Sequence, residues 1–204
     1  MKIKKTLMFL IMGLSHLGAC NGQSGNSSQP SDNKKQIMEN FELSPEKAHP
    51  KAKVLLNEPF YWSPIEESGP FGSDDGSDAF YGFLDWRESN ETSSPTVFLS
   101  DLIDEWGYKP FDFNELDEEI LKIYISSNEI GARTLKGQDD AIIAIGFGQF
   151  VLEGKIDEDI KLLTKTALKR ELLPILIDSW EGEYKKTRIE QLNKMLIALD
   201  KMND

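Results

Sequence analysis

Apolar side chains recur at helical spacing along most of the second half of this chain. Residues 114–126 set Leu116, Ile120, Leu121, Ile123 and Tyr124 at intervals that place them together on helix faces, with acids between them. Residues 96–106 form a shorter amphipathic stretch ending at Gly107, and 157–173 and 185–202 repeat the pattern on either side of Pro174 and Trp180-Glu181-Gly182. Residues 139–152 differ: Ala141, Ile142, Ile143, Ala144, Ile145, Phe147, Phe150 and Val151 leave almost no polar face. A helix apolar all round is buried, and Gly154 is a suitable stop because glycine adopts the left-handed conformation that closes helices. Asp and Ser before the apolar run 79–86 predict a further helix over 77–88, since their oxygens can accept the first free N–H groups. The expected fold is mainly α: one domain over 41–204, with five or six helices around the buried helix 139–152. Asn57-Glu58-Pro59-Phe60-Tyr61-Trp62 reads as a short extended aromatic segment covering that core.

The first forty residues follow another pattern. Lys2, Lys4 and Lys5 precede an apolar run over 7–14 and a short stretch ending at Cys20, the layout of a secretory signal. Eight helical residues reach about 12 Å, at roughly 1.5 Å each. A span of about 30 Å needs about twenty apolar residues, so this run is too short to cross a membrane stably. Residues 21–33, NGQSGNSSQPSDN, carry no apolar side chain and read as a tether. The expected organisation is a signal at 1–19, an anchor residue and tether at 20–40, and the helical domain after them.

Leu17-Gly18-Ala19-Cys20 resembles the bacterial lipobox. That resemblance implies a diacylglyceryl thioether on Cys20 and cleavage before it, with Leu17, Gly18 and Ala19 read by the processing enzymes. Acyl chains anchor because each buried methylene contributes about 0.8 kcal/mol, and two chains hold where one does not. Asn21 resembles the residue that directs such proteins to the outer membrane, facing the periplasm, in cells with two membranes. Cys20 is the chain's one cysteine, so no disulfide can form within the chain.

Charge narrows the partners. The chain carries −12, and loss of the three signal lysines leaves 20 basic against 35 acidic side chains, or −15. Such a surface repels nucleic acid and anionic lipid headgroups, and it either favours a cationic protein partner beside the membrane anchor or serves solubility alone. Candidate chemistry is sparse. His49 is the one histidine after the signal, set in a Pro-flanked segment that reads as exposed surface. HExxH, Walker A and G-x-S-x-G patterns are absent, and no cofactor is implied. Asp74, Asp75 and Asp78 are the local candidates for a metal such as calcium. Their place at a helix start also suits capping and the helix dipole, which is the preferred reading. Gly146 and Gly148 lie within the buried helix, where missing side chains let helices approach closely.

The run Gly69-Pro70-Phe71-Gly72-Ser73-Asp74-Asp75-Gly76-Ser77-Asp78 resembles the signature of the domain-of-unknown-function 4259 family, over about residues 60–204. It lacks the leading Trp-Gly of that pattern and has Gly76 where alanine is usual. The resemblance implies a mainly helical fold and no known activity. Two function classes follow from the whole chain. One is a tethered protein-binding module, in a sharper form an immunity-type lipoprotein that neutralises a cationic toxin. The alternative is a carboxylate-dependent envelope hydrolase, which requires a cleft holding a carboxylate with a raised pKa.

Overall fold

A computed structural model describes residues 41–203. The signal segment, Leu17, Gly18, Ala19, Cys20 and the tether up to residue 40 lie outside the described residues. Among the described residues there are eight α-helices and no strand. They are α1 (Pro50–Leu55), α2 (Asp74–Ser89), α3 (Pro95–Glu105), α4 (Glu118–Ile125), α5 (Gly131–Glu153), α6 (Glu158–Glu171), α7 (Pro174–Ile177) and α8 (Gly182–Lys201). Six have eight residues or more, and all belong to one helical domain. No described helix is long and apolar enough to cross a membrane.

Helix α5 is the axis of the domain, with α2, α3, α4 and α6 packed around it. Eighteen of its 23 residues are buried, so it is enclosed on every side. Ile142, Ile145, Phe147 and Val151 are completely buried, and burying such a side chain contributes about 1.5–3 kcal/mol. Close approach needs small residues at the crossings. A Cβ on Gly146 would overlap the Thr164 hydroxyl of α6, and one on Gly148 would lie 2.8 Å from Phe80 of α2. The helix ends where Gly154, at φ 67°, donates its N–H to Phe150 O at 2.9 Å. Both glycine roles expected from the sequence are present.

Several boundaries differ from the sequence reading. Helix α5 begins at Gly131, eight residues before the expected start; its added turns bury Thr134, Leu135, Gly137 and Gln138 and leave Ala132 and Arg133 exposed. Helix α2 begins at Asp74, with Ser73 as N-cap: its Oγ accepts from Gly76 N at 3.0 Å. The aromatic segment near 57–62 is no extended strand but a 3₁₀ turn, Pro59–Trp62. Pro59 supplies the fixed φ that suits a first helical position, and Trp62 Nε1 ties the turn down by donating to Leu56 O at 2.7 Å. Phe60 and Tyr61 are buried, so the segment does cover the core. His49 is also misplaced as plain surface. It is half-buried against Gly154, and its Nδ1 caps α1 by accepting from Lys51 N at 3.2 Å.

Candidate functional site

The polar half of α5 carries the main concentration of charge. Within its first turn, Arg133 pairs with Asp75 of α2. The other Asp75 oxygen accepts from Tyr108 Oη at 2.9 Å. Gly137 leaves the room for this convergence: a Cβ there would lie 2.7 Å from Asp75 Oδ2, 2.8 Å from an Arg133 nitrogen and 2.9 Å from the Tyr108 ring. Burial, then the hydrogen bond to Asp75, holds the Tyr108 phenol above its ordinary pKa. On the same flank of α5, Lys136 Nζ donates to Asp140 Oδ2 at 2.5 Å, four residues on. Burial pushes the Asp140 carboxyl up, and Lys136 opposes the shift.

Two further pairs lie behind these. Asp139 and Arg170 of α6 are both fully buried, and Arg170 Nε reaches both carboxylate oxygens at 3.1 Å. Arg170 also donates to the carbonyls of Phe113 and Glu115 at 3.0 and 2.8 Å, pinning the 108–117 loop to the core. Burial pushes the Asp139 carboxyl up to about 7 against the pull of Arg170. Glu171 Oε2 accepts from Arg188 of α8 at 2.5 Å, and Arg188 reaches Glu67 O at 3.2 Å while stacking 4.5 Å from the Trp180 ring.

This arrangement leaves two adjoining hollows. The first, about 250 Å³, is polar and lined by Glu67, Asp74, Asp75, Arg133, Lys136 and Asp140. The second, about 290 Å³, shares Arg133 and Lys136 but is walled mainly by Ile125, Ile175, Leu176 and Trp180. Two buried carboxylates facing a polar cleft, one with a raised pKa, can exchange a proton with a bound molecule or hold its cationic group.

The metal candidates are dispersed. Asp74 and Asp78 are exposed, while Asp75 is buried and turned to Tyr108 and Arg133. Among the described residues, no group of three His, Cys, Asp or Glu side chains is placed to hold a metal ion. Sequence reasoning found Asp75 but missed Tyr108, Arg133, Lys136, Asp140, Glu171 and Arg188. The visible signal was the i,i+4 spacing of Lys136 and Asp140, followed at once by the apolar run.

A second surface lies on α4. Leu121 and Tyr124 face inward, with Leu135 beside them. Ile120 and Ile123 lie outward, exposed by 51 and 73%, and Leu116, in the loop two residues before the helix, is exposed by 37%. Asp117, Glu118 and Glu119 stand beside them at the helix start, where Asp117 Oδ1 accepts from Glu119 N at 2.8 Å.

Among curated proteins, the chain is similar to the uncharacterized protein YfeS of Escherichia coli (strain K12), with 30% identity over 139 residues. The match covers 65% of this chain and 54% of that protein, so the chain spans about half the length of the relative. No family model matches the chain. No solved structure matches it.

Proposed function

We propose that this chain is a bacterial lipoprotein, held to a membrane through lipidated Cys20, whose helical domain binds a cationic protein partner. The observation that supports the binding role is the outward face of α4. Two large aliphatic side chains, Ile120 and Ile123, are exposed on a helix that already buries its other apolar side, and Leu116 is exposed in the loop just before it. Contiguous exposed apolar groups beside charged ones are characteristic of interaction sites. Covering such a side chain fully contributes about 1.5–3 kcal/mol, and the acids beside the stripe select positive charge. The 4259-family resemblance at residues 69–78 fits the same helical module and adds no activity.

The sharper form is an immunity-type lipoprotein that neutralises a cationic toxin. Cells lacking the chain are then killed on contact with toxin-bearing siblings, and a copy carrying Ile120→Asp and Ile123→Asp does not restore survival. Normal survival of the deletion strain refutes the immunity form. In-cell crosslinking from position 123 tests the broader reading: one defined partner is captured by the wild-type chain and lost with Cys20→Ser. If the unanchored chain captures the same partner equally well, anchoring has no part in binding.

One observation favours the alternative, a carboxylate-dependent envelope hydrolase. Asp75 and Asp140 line one polar cleft, and burial raises the Asp140 pKa. On this reading the purified chain releases fragments from envelope extracts and Asp140→Asn, still folded, does not. Absence of release by the wild type removes it.

A further inference from the structure

Two exposed apolar faces of the domain carry opposite charge. On α4 the exposed isoleucines stand beside Asp117, Glu118 and Glu119. The other face lies where α1 meets the end of α8, with Val54 and Ile197 exposed by 76 and 57%. Two hollows of about 400 and 370 Å³ meet there and share Val54, Leu55 and Lys201. Phe150 lines the first and Ile197 the second. The rim is basic: Lys51 and Lys201 line the first hollow with no acid, and Lys194 and Lys201 line the second with one, Glu58. Beside Lys201, Asp200 accepts from Lys165 at 2.6 Å; that bond and the charges of Lys165, Lys161 and Lys169 hold its carboxyl below the ordinary value. The acids set among these six lysines are Glu58 and Glu190 at Lys194, Asp200 at Lys165, and Glu158 at Asn203. Over the chain after the signal the balance is reversed, with 35 acids against 20 bases.

An acidic body held beside an anionic bilayer turns its least acidic side to the lipid, because like charges repel within a Debye length of about 8 Å. Twenty residues separate Cys20 from Phe41, and a coil of that length reaches about 25 Å. An anchor at Cys20 therefore permits many orientations, and the surface of the domain selects among them. We infer, on the basis of the lipoprotein reading above, that the α1–α8 face lies on the anionic membrane surface. Val54 and Ile197 enter the headgroup region, and the lysines rest their stems on the apolar side chains and extend their ammonium groups to lipid phosphates. Residues just before the domain suit the hollows less well, since Lys34 and Lys35 repeat the charge of the rim. The α4 face, flanked by acids, is repelled by the same lipid and is left for a protein partner.

The test uses the mature lipidated chain in vesicles of phosphatidylethanolamine with about a quarter phosphatidylglycerol. With Cys20 held as a thioether, Val54→Cys, Ile197→Cys and Ile123→Cys each supply one free thiol for an environment-sensitive fluorophore. Lipids with a doxyl quencher are expected to lower emission from positions 54 and 197 by about twofold or more and to leave position 123 unchanged. Adding Lys169→Glu and Lys201→Glu, both at exposed positions, brings position 54 to the level of position 123 while the lipid keeps the chain on the vesicles. The inference is overturned if positions 54 and 123 are quenched alike, or if the charge reversal changes nothing. Shielding of position 54 from aqueous iodide without doxyl quenching also overturns it, since a second copy or another protein then covers the face. A mature chain that lacks the lipid and leaves the vesicles refutes the anchor and this orientation together. An anchored chain with position 54 unquenched refutes the orientation alone.

Discussion

Replacing Arg170 with methionine tests the buried charge network most directly. The substitution keeps a long apolar stem but leaves the fully buried Asp139 carboxylate without its counter-charge. Breaking a buried pair from one side costs about 3–5 kcal/mol. The carbonyls of Phe113 and Glu115 also lose their donors, at about 1 kcal/mol each. A loss of about 5–7 kcal/mol is therefore expected at pH 8. With a urea m-value of about 2 kcal/mol/M, the unfolding midpoint falls by about 2.5–3.5 M. Adding Asp139→Leu removes the stranded charge and recovers most of the loss except the carbonyl contribution. The cost also depends on pH. Folded Asp139 keeps its proton up to about 7, whereas its ordinary value is 3.8. The folded chain therefore binds more protons than the unfolded chain between those values, and stability falls as pH rises through that window. At pH 5 Asp139 is largely neutral in the folded state, so Arg170→Met costs much less there than at pH 8. Urea unfolding followed by far-ultraviolet circular dichroism at both pH values measures this. A midpoint shift below about 0.5 M at pH 8, an equal shift at pH 5, or a double variant no more stable than the single would refute the reasoning.

Three other outcomes are expected. Gly146→Val drives two methyl groups into Thr164 at the α5–α6 crossing, and by the usual cost of overpacking lowers stability by about 1–3 kcal/mol or more, read from the same urea midpoints. Ser73→Ala removes the acceptor for Gly76 N at the start of α2 and costs about 1 kcal/mol, whereas Ser77→Ala, inside the helix, costs a few tenths at most. Mass measurement of the mature amino terminus is expected to find acylated Cys20, and Cys20→Ser to release the chain from the membrane fraction. An unmodified cysteine on the mature wild-type chain would overturn the anchor.

How much of this was legible in the sequence depends on where each side chain finds its partner. The helical class and the enclosed helix could be read directly, because the run from Ala141 to Val151 is apolar on every face and needs no knowledge of its neighbours. Its true start could not. Residues 131–138 read GARTLKGQ, with two glycines and three polar or charged long side chains, a composition that argues for a loop. They are helical because Arg133 meets Asp75 of α2, because Lys136 pairs with Asp140 one turn further along the same helix, and because Gln138 donates to Tyr124 Oη at 2.9 Å. Periodicity assigns charge to solvent, so it hides every ion pair whose partner is distant in sequence. Arg170 lies 31 residues from Asp139, and Arg188 lies 17 from Glu171. His49 shows the same limit in reverse: a residue between prolines reads as surface, yet its backbone N–H donates to Val151 O at 2.8 Å and its ring meets Gly154. The Asp74-Asp75-Asp78 cluster lies between these cases. That a helix starts there was readable from local residues, but three residues late: Ser73 is the N-cap, Asp74 and Asp75 fill the first turn, and Asp78 lies beyond it. The inward turn of Asp75 was not readable, because that carboxylate is drawn into the cleft by Tyr108 and Arg133, 33 and 58 residues further along. The sequence thus marked the right helix end for the candidate site, where Asp74 and Asp75 both line the cleft, and long-range pairing decided that Asp75 is the acid buried in it.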